Sequence, residues 1–281
     1  MSALLEHKID CHCHILDPRR YPYPAEASYR PAGQEIGPET QFLAVCDAYR
    51  VDYALLTGPN SGYGTDNSCL LDVLARGEGR FRGVAVTSLD VGRAQLADLR
   101  RRGIVGVAIN TTFHGLPYYR DMRALISHLE ALDMVLQLQV AGDDLVALAP
   151  QIERASVRLV IDHCGRPELA NGLRQPGFVA LLALGASGRA SVKLSGLQKF
   201  SRQGFPYADA WPYVRALVDA YGLDQCMWGS DWPYLRATER VDYGPLLALV
   251  DRLFPAAADR AKLLWETPRR LFGFGEAAAR P

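Results

Sequence analysis

Short runs rich in Val, Ile and Leu alternate along the chain with longer stretches whose apolar residues recur at helical spacing. That alternation is the pattern of repeated strand–helix units around a parallel sheet. Eight strands are predicted, over 8–15, 52–57, 81–87, 105–111, 134–140, 158–163, 190–195 and 226–231. Helical patterns fall near 39–49, 66–76, 92–102, 118–132, 143–154, 176–184, 208–221 and 242–254, with one more near 258–271. The strand centres are apolar on both faces, so both faces are buried, which favours an α/β fold of the (β/α)8 TIM barrel type, regular or distorted, over an open doubly wound sheet. The whole chain, 1–281, reads as a single domain with an extra C-terminal helix. The one long irregular stretch, 17–38, carries five prolines with Tyr21, Tyr23 and Tyr29. A loop of that length inside a compact domain is usually functional, and it is expected to form a lid or pocket wall.

Composition narrows the partners. The 281 residues carry 31 basic and 31 acidic side chains. That balance leaves no electrostatic footprint for nucleic acid or an anionic membrane and suits a small-molecule substrate. Neither a Gly-x-Gly-x-x-Gly turn after the first strand nor a P-loop is present, so nucleotide cofactors are not expected. Residues 1–8 lack the apolar segment of a signal peptide, and no stretch approaches the roughly 20 apolar residues of a membrane span. A cytoplasmic monomer or homodimer is expected. The six cysteines form no Cys-x-x-Cys pair and are read as reduced thiols.

The chemistry gathers at strand ends. In Asp10-Cys11-His12-Cys13-His14, period-two alternation puts His12 and His14 on one side, at the mouth where barrel enzymes place catalytic groups. The same alternation puts Cys11 and Cys13 together on the other face, as packing residues. His163 stands where the sixth strand breaks into Cys164-Gly165-Arg166-Pro167, and Asp231 where the eighth gives way to Trp232-Pro233. Each has a structural reading alone: a satisfied core histidine, or an aspartate capping a helix. Four ionisable residues at the same end of three strands point instead to a shared site.

These motifs resemble the amidohydrolase superfamily, and within it the branch of 2-pyrone-4,6-dicarboxylate hydrolases and sugar lactonases. The likeness runs through Asp10-x-His12-x-His14, Gly64-Thr65-Asp66-Asn67, Asp162-His163-x-Gly165-Arg166-Pro167, Lys193-x-Ser195 and Trp228-Gly229-Ser230-Asp231-Trp232-Pro233. It implies a lactonase in which Asp231 takes a proton from water while His12, His14 and His163 polarise the ring carbonyl. It also implies substrate contact by Tyr29, with Ser61, Thr65, His114, Gln137, Arg166 and Lys199 as further candidates. Thr65 also reads as a helix cap, Arg166 as a structural arginine, and Lys193 as the family's buried lysine bonded to neighbouring loops.

Many relatives hold one or two divalent ions with a lysine and a histidine from the fourth and fifth strands. Here those strands offer Asn110, Thr111, Gln137 and Gln139, so a route without a metal is favoured. One zinc on His12, His14 and Asp231, with His163 as a fourth ligand, is the alternative. Where arginines hold two carboxylates in the pyrone branch, this chain has Ala108, His114 and Lys199. At most one firm cation is therefore expected, and with it a lactone bearing one carboxylate or a sugar lactone. A metal-dependent decarboxylase, a lactone isomerase and a barrel that only binds a ligand are the competing functions.

Overall fold

The computed structural model describes residues 2–275. Eight strands, β1 (Lys8–Cys13), β2 (Val51–Thr57), β3 (Phe81–Ala85), β4 (Ile104–Asn110), β5 (Val135–Gln139), β6 (Leu159–Ile161), β7 (Ala190–Lys193) and β8 (Cys226–Met227), lie side by side in chain order in one sheet. Every neighbouring pair from β1–β2 to β7–β8 is parallel. The ring closes through irregular bonds between β1 and the segment after β8: Cys11 N–H to Trp228 O at 3.1 Å, Asp231 N–H to His12 O at 2.7 Å, and His14 N–H to Trp232 O at 2.8 Å. Helices follow the strands, and the predicted C-terminal helix appears as a continuous run from Ala257 to Phe272 that passes through a π-helical turn at Lys262–Glu266. The molecule is thus a (β/α)8 TIM barrel.

Two apolar clusters explain the geometry. The larger lies between sheet and helices; the smaller draws Ile9, Cys11, Leu55, Val84, Ala108, Val135, Val160 and Met227 from the strands and is plugged by Phe272 and Phe274. The smaller cluster fills the bottom of the barrel, leaving the polar residues to the opposite, C-terminal end.

Three expectations change. The strand pairing slips between Asp10 and Cys13. As a result Cys11 faces the barrel interior while Cys13 joins the outer core, so the two thiols are not on one face as strict alternation requires. The predicted strands 158–163, 190–195 and 226–231 are shorter, because their last residues leave the ladder; His163, Cys164, Arg166 and Asp231 take positive φ values of 50°, 56°, 44° and 64°. Loop 17–38 contributes no residue to the central cavity. It buttresses the walls from outside: the Tyr23 ring packs 5.3 Å from that of Tyr63, and Glu35 accepts a bond from the Arg236 backbone. All six cysteines are free and buried. Among the described residues no helix is long and apolar enough to cross a membrane.

Candidate active site

At the carboxyl ends of the strands, three imidazoles face one buried carboxylate oxygen. Asp231 Oδ1 lies 3.6 Å from His14 Nε2, 3.6 Å from His163 Nε2 and 3.8 Å from His12 Nε2. Its other oxygen, Oδ2, pairs with Lys199 Nζ at 2.9 Å. The seam between β1 and the end of β8 fixes this arrangement. Asp10 accepts the Ser230 amide at 2.9 Å, the Ser230 hydroxyl at 2.6 Å and the Tyr243 hydroxyl at 2.9 Å. That anchorage holds the residue before Asp231 against the strand that carries His12 and His14.

A layer of charge lies under the histidines. Asp162 Oδ1 is 3.0 Å from Lys193 Nζ and 3.2 Å from His12 Nδ1; Lys193 Nζ is also 3.1 Å from His12 Nδ1 and donates to Gln137 Oε1 at 2.6 Å. Gln137 returns a bond from Nε2 to Asp162 Oδ2 at 2.9 Å. All four side chains are buried. Lysine can only donate and a carboxylate only accept. His12 Nδ1 therefore has a partner in either tautomer: with Nδ1 accepting from Lys193 its Nε2 carries a proton, and with Nδ1 donating to Asp162 its Nε2 presents a lone pair. That Nε2 is buried with no hydrogen-bond partner of its own. His14 is more constrained, because its Nδ1 donates to the Thr57 carbonyl at 2.8 Å. Neutral His14 must present a lone pair at Nε2, so the expected part of a neutral donor to a substrate carbonyl does not suit it. His163 Nδ1 meets the Ser195 hydroxyl at 3.0 Å, a partner that can donate or accept.

Burial pushes the His12 imidazolium down to about 4, and the Lys193 ammonium adds to this against the opposing pull of Asp162. Burial likewise brings His163 well below the ordinary histidine range. Both rings are neutral near pH 7. For Asp231, burial alone favours the acid, but the Lys199 ammonium and the surrounding imidazoles outweigh it and hold the carboxyl well below its usual range. Asp162 is held down in the same way by Lys193 and His12.

The cluster opens into a cavity of about 330 Å³. His14, His163, Asp231, Ser61, Arg166 and Lys199 line it as expected, and His12 lies beneath. Four expected substrate contacts do not line it. Tyr29 sits on the far side of Arg236 and donates to Glu35 at 2.5 Å. Thr65 is exposed in a separate groove beside Asn67 and Ser88. His114 is exposed and stacked on Tyr118, reaching the wall only through Asn60 Oδ1 at 3.2 Å. Gln137 serves the buried layer under His12. Sequence reasoning passed over Asn60, Thr112 and Arg236 in the wall, which sit on turns without periodicity. It read Lys193 as a buried structural lysine, and the fold gives that lysine Asp162, Gln137 and His12 as partners.

Gly196 shows how tightly His163 is held. A Cβ at this position, where φ is +63°, would stand 2.5 Å from His163 Nδ1. Gly196→Ala is expected to displace the ring and lower kcat by about 10-fold or more, with the thermal melt showing a folded protein.

His12, His163 and Asp231 offer ligand atoms within 4.8 Å of one another, and His14 Nε2 faces the same carboxylate oxygen. The His12–Asp162 and His14–carbonyl contacts are the supports that metal-bound histidines use. The unpartnered Nε2 of His12 gives a three-ligand set with His163 and Asp231, the number of protein ligands that a catalytic divalent ion uses.

A barrel that gathers three imidazoles and an aspartate at the carboxyl ends of its strands places them where (β/α)8 enzymes carry their active sites. The chain belongs to the amidohydrolase family, whose model matches residues 9–274. It is 32% identical to the 4-sulfomuconolactone hydrolase of Rhizobium radiobacter over 271 residues, 94% of this chain and 89% of that one. It is 24% identical to the 2-pyrone-4,6-dicarboxylate hydrolase of Comamonas testosteroni over 277 residues, 94% and 89% of the two chains. A crystal structure from Pseudomonas putida, described as a candidate 2-pyrone-4,6-dicarboxylic acid hydrolase, superposes with a TM-score of 0.83 at 31% identity, covering 95% of this chain and 98% of that one.

Proposed function

We propose that the protein is a lactonase that opens a small lactone by attack of water on the ring carbonyl. The observation that carries this reading is the buried, ionised Asp231 carboxylate with three imidazole nitrogens within 3.8 Å. The likeness to hydrolases named for a sulfonated muconolactone and a pyrone dicarboxylate supports the substrate class.

Water is held between Asp231 and the Nε2 lone pair of His14, and Asp231 takes its proton as the oxygen attacks. His12, with Lys193 donating to its Nδ1, presents Nε2–H to the carbonyl oxygen as charge develops, and His163, backed by the Ser195 hydroxyl, does the same. Collapse of the tetrahedral intermediate breaks the ring C–O bond. The proton on Asp231 passes to the departing oxygen, leaving a hydroxy acid. A lactone's leaving group is good enough for positioning and an oxyanion site to suffice.

The three-ligand set supports a second version of the same reaction, in which His12, His163 and Asp231 would hold a zinc ion with His14 beside it. Such an ion would supply Lewis-acid polarisation of the carbonyl and a more acidic water. The test is a panel of pyrone, muconolactone and sugar lactones assayed before and after chelation, with metal content measured. Ring opening that survives metal removal assigns the hydrogen-bonding route; about one equivalent of zinc with turnover lost on chelation assigns the ion. If no lactone is opened, the proposal falls.

Lys199 sets the acid limb of this reaction. Its ammonium favours the ionised form of Asp231, so removing it lets burial raise the carboxyl. Lys199→Met is expected to move the acid limb of the pH–rate profile to higher pH by roughly 1–3 units.

A further inference from the structure

Formal charge inside the cavity does not balance. Lys199 is paired with Asp231 and Lys193 with Asp162. Two guanidiniums in the wall remain. Among the described residues, no carboxylate lies within ion-pair distance of Arg166 or Arg236. Arg166 donates from Nη1 to the Thr112 hydroxyl at 3.2 Å. The Arg236 guanidinium lies 4.3 Å over the Tyr29 ring and 5.5 Å from the centre of Phe113. Glu35 binds the Arg236 backbone, and loop 17–38 thereby fixes where that side chain starts.

The two arginines come from different loops, after β6 and after β8, yet both reach the same turn, one at Thr112 and the other at its neighbour Phe113. Both residues stand at left-handed φ values, 44° for Arg166 and 56° for Arg236. That conformation is unfavourable for a side-chain-bearing residue and persists where the surroundings enforce it. Burial lowers the Arg166 guanidinium from its ordinary range against the opposing pull of the Asp231 carboxylate. The sequence suggested at most one firm cation in the site; the fold adds two guanidiniums to the cavity lining without a carboxylate at ion-pair distance, that of Arg166 partly buried and that of Arg236 exposed.

We infer that Arg166 and Arg236 form an anion-binding subsite that takes an acidic substituent of the lactone, a carboxylate or a sulfonate, and that neutral sugar lactones are poor substrates for that reason. Planar guanidiniums converging from two directions suit an oxyanion group with several acceptor oxygens. The acidic group is then held against the Thr112–Phe113 turn while the ring carbonyl extends toward the imidazoles. This inference rests on the lactonase reading for the identity of the ligand, but anion binding can be measured without turnover.

The experiment compares the protein with Arg166→Gln, Arg236→Gln and Arg236→Lys, using a carboxylated γ-lactone, its sulfonated counterpart and its methyl ester. Titration calorimetry with sulfosuccinate and with tricarballylate runs in parallel, and thermal melts check folding. The expected result is a kcat/KM for the acids about tenfold or more above that of the ester. Each glutamine variant should shrink that preference through KM and weaken calorimetric binding, and Arg236→Lys should retain part of it. The stronger-binding probe identifies the acid. A preference for acid over ester unchanged in both glutamine variants, or tight anion binding that they do not weaken, overturns the subsite. If no lactone is opened but anion binding depends on both arginines, the subsite stands and the lactonase reading fails.

Discussion

Asp231→Asn is expected to reduce kcat by about 10²–10⁴-fold while KM changes little. The amide keeps the size and shape of the carboxylate, so the substitution removes the basic oxygen and little else. In the folded protein that oxygen faces His12, His14 and His163 at 3.6–3.8 Å. Among the described residues no neighbouring carboxylate is free to replace it: Asp162, next in line, is committed to Lys193 and Gln137. The variant also leaves Lys199 without its ion partner at 2.9 Å, so a melt must accompany the kinetics. A variant that folds and turns over at the normal rate would remove Asp231 from the chemistry.

Lys193→Met carries the second large effect, and it acts on stability and rate together. The ammonium is fully buried and makes three contacts, to Asp162, Gln137 and His12. Breaking a buried pair by removing one partner leaves an uncompensated charge and costs about 3–5 kcal/mol. Chemical denaturation should report that loss. The rate should fall as well, since His12 loses the donor that keeps a proton on its Nε2. Adding Asp162→Asn removes the orphaned charge and should restore much of the stability without restoring kcat. Recovery of both together would mean that Lys193 serves folding alone.

The barrel was legible because its signal is long and repeated. Eight apolar runs separated by helical patterns leave few alternatives, and the helix ranges fall within a few residues of those observed. The convergence of His12, His14, His163 and Asp231 was legible because each stands where an apolar run ends, a position that in a parallel barrel lies at the mouth. Side-chain direction beyond those ends was not. The slip between Asp10 and Cys13 breaks the period that joined Cys11 to Cys13, and nothing in the residue types announces it. Left-handed residues such as Arg166 and Arg236 turn side chains by an amount that only the surrounding packing decides. Loop 17–38 illustrates the same limit: its length and prolines marked it as important, but whether Tyr29 faces the cavity or the back of Arg236 depends on contacts far away in the chain. Tautomers lie further out of reach, since the lone pair on neutral His14 follows from a backbone carbonyl, that of Thr57, which no motif encodes.

Opening an acidic lactone in water enriched in oxygen-18 tests the proposed chemistry most directly. One heavy oxygen should enter the newly formed carboxylate, with the ring oxygen retained unlabelled as the product hydroxyl. A product of unchanged mass would mean acyl migration between hydroxyls, and loss of carbon dioxide would mean decarboxylation; either contradicts attack by a water that Asp231 activates.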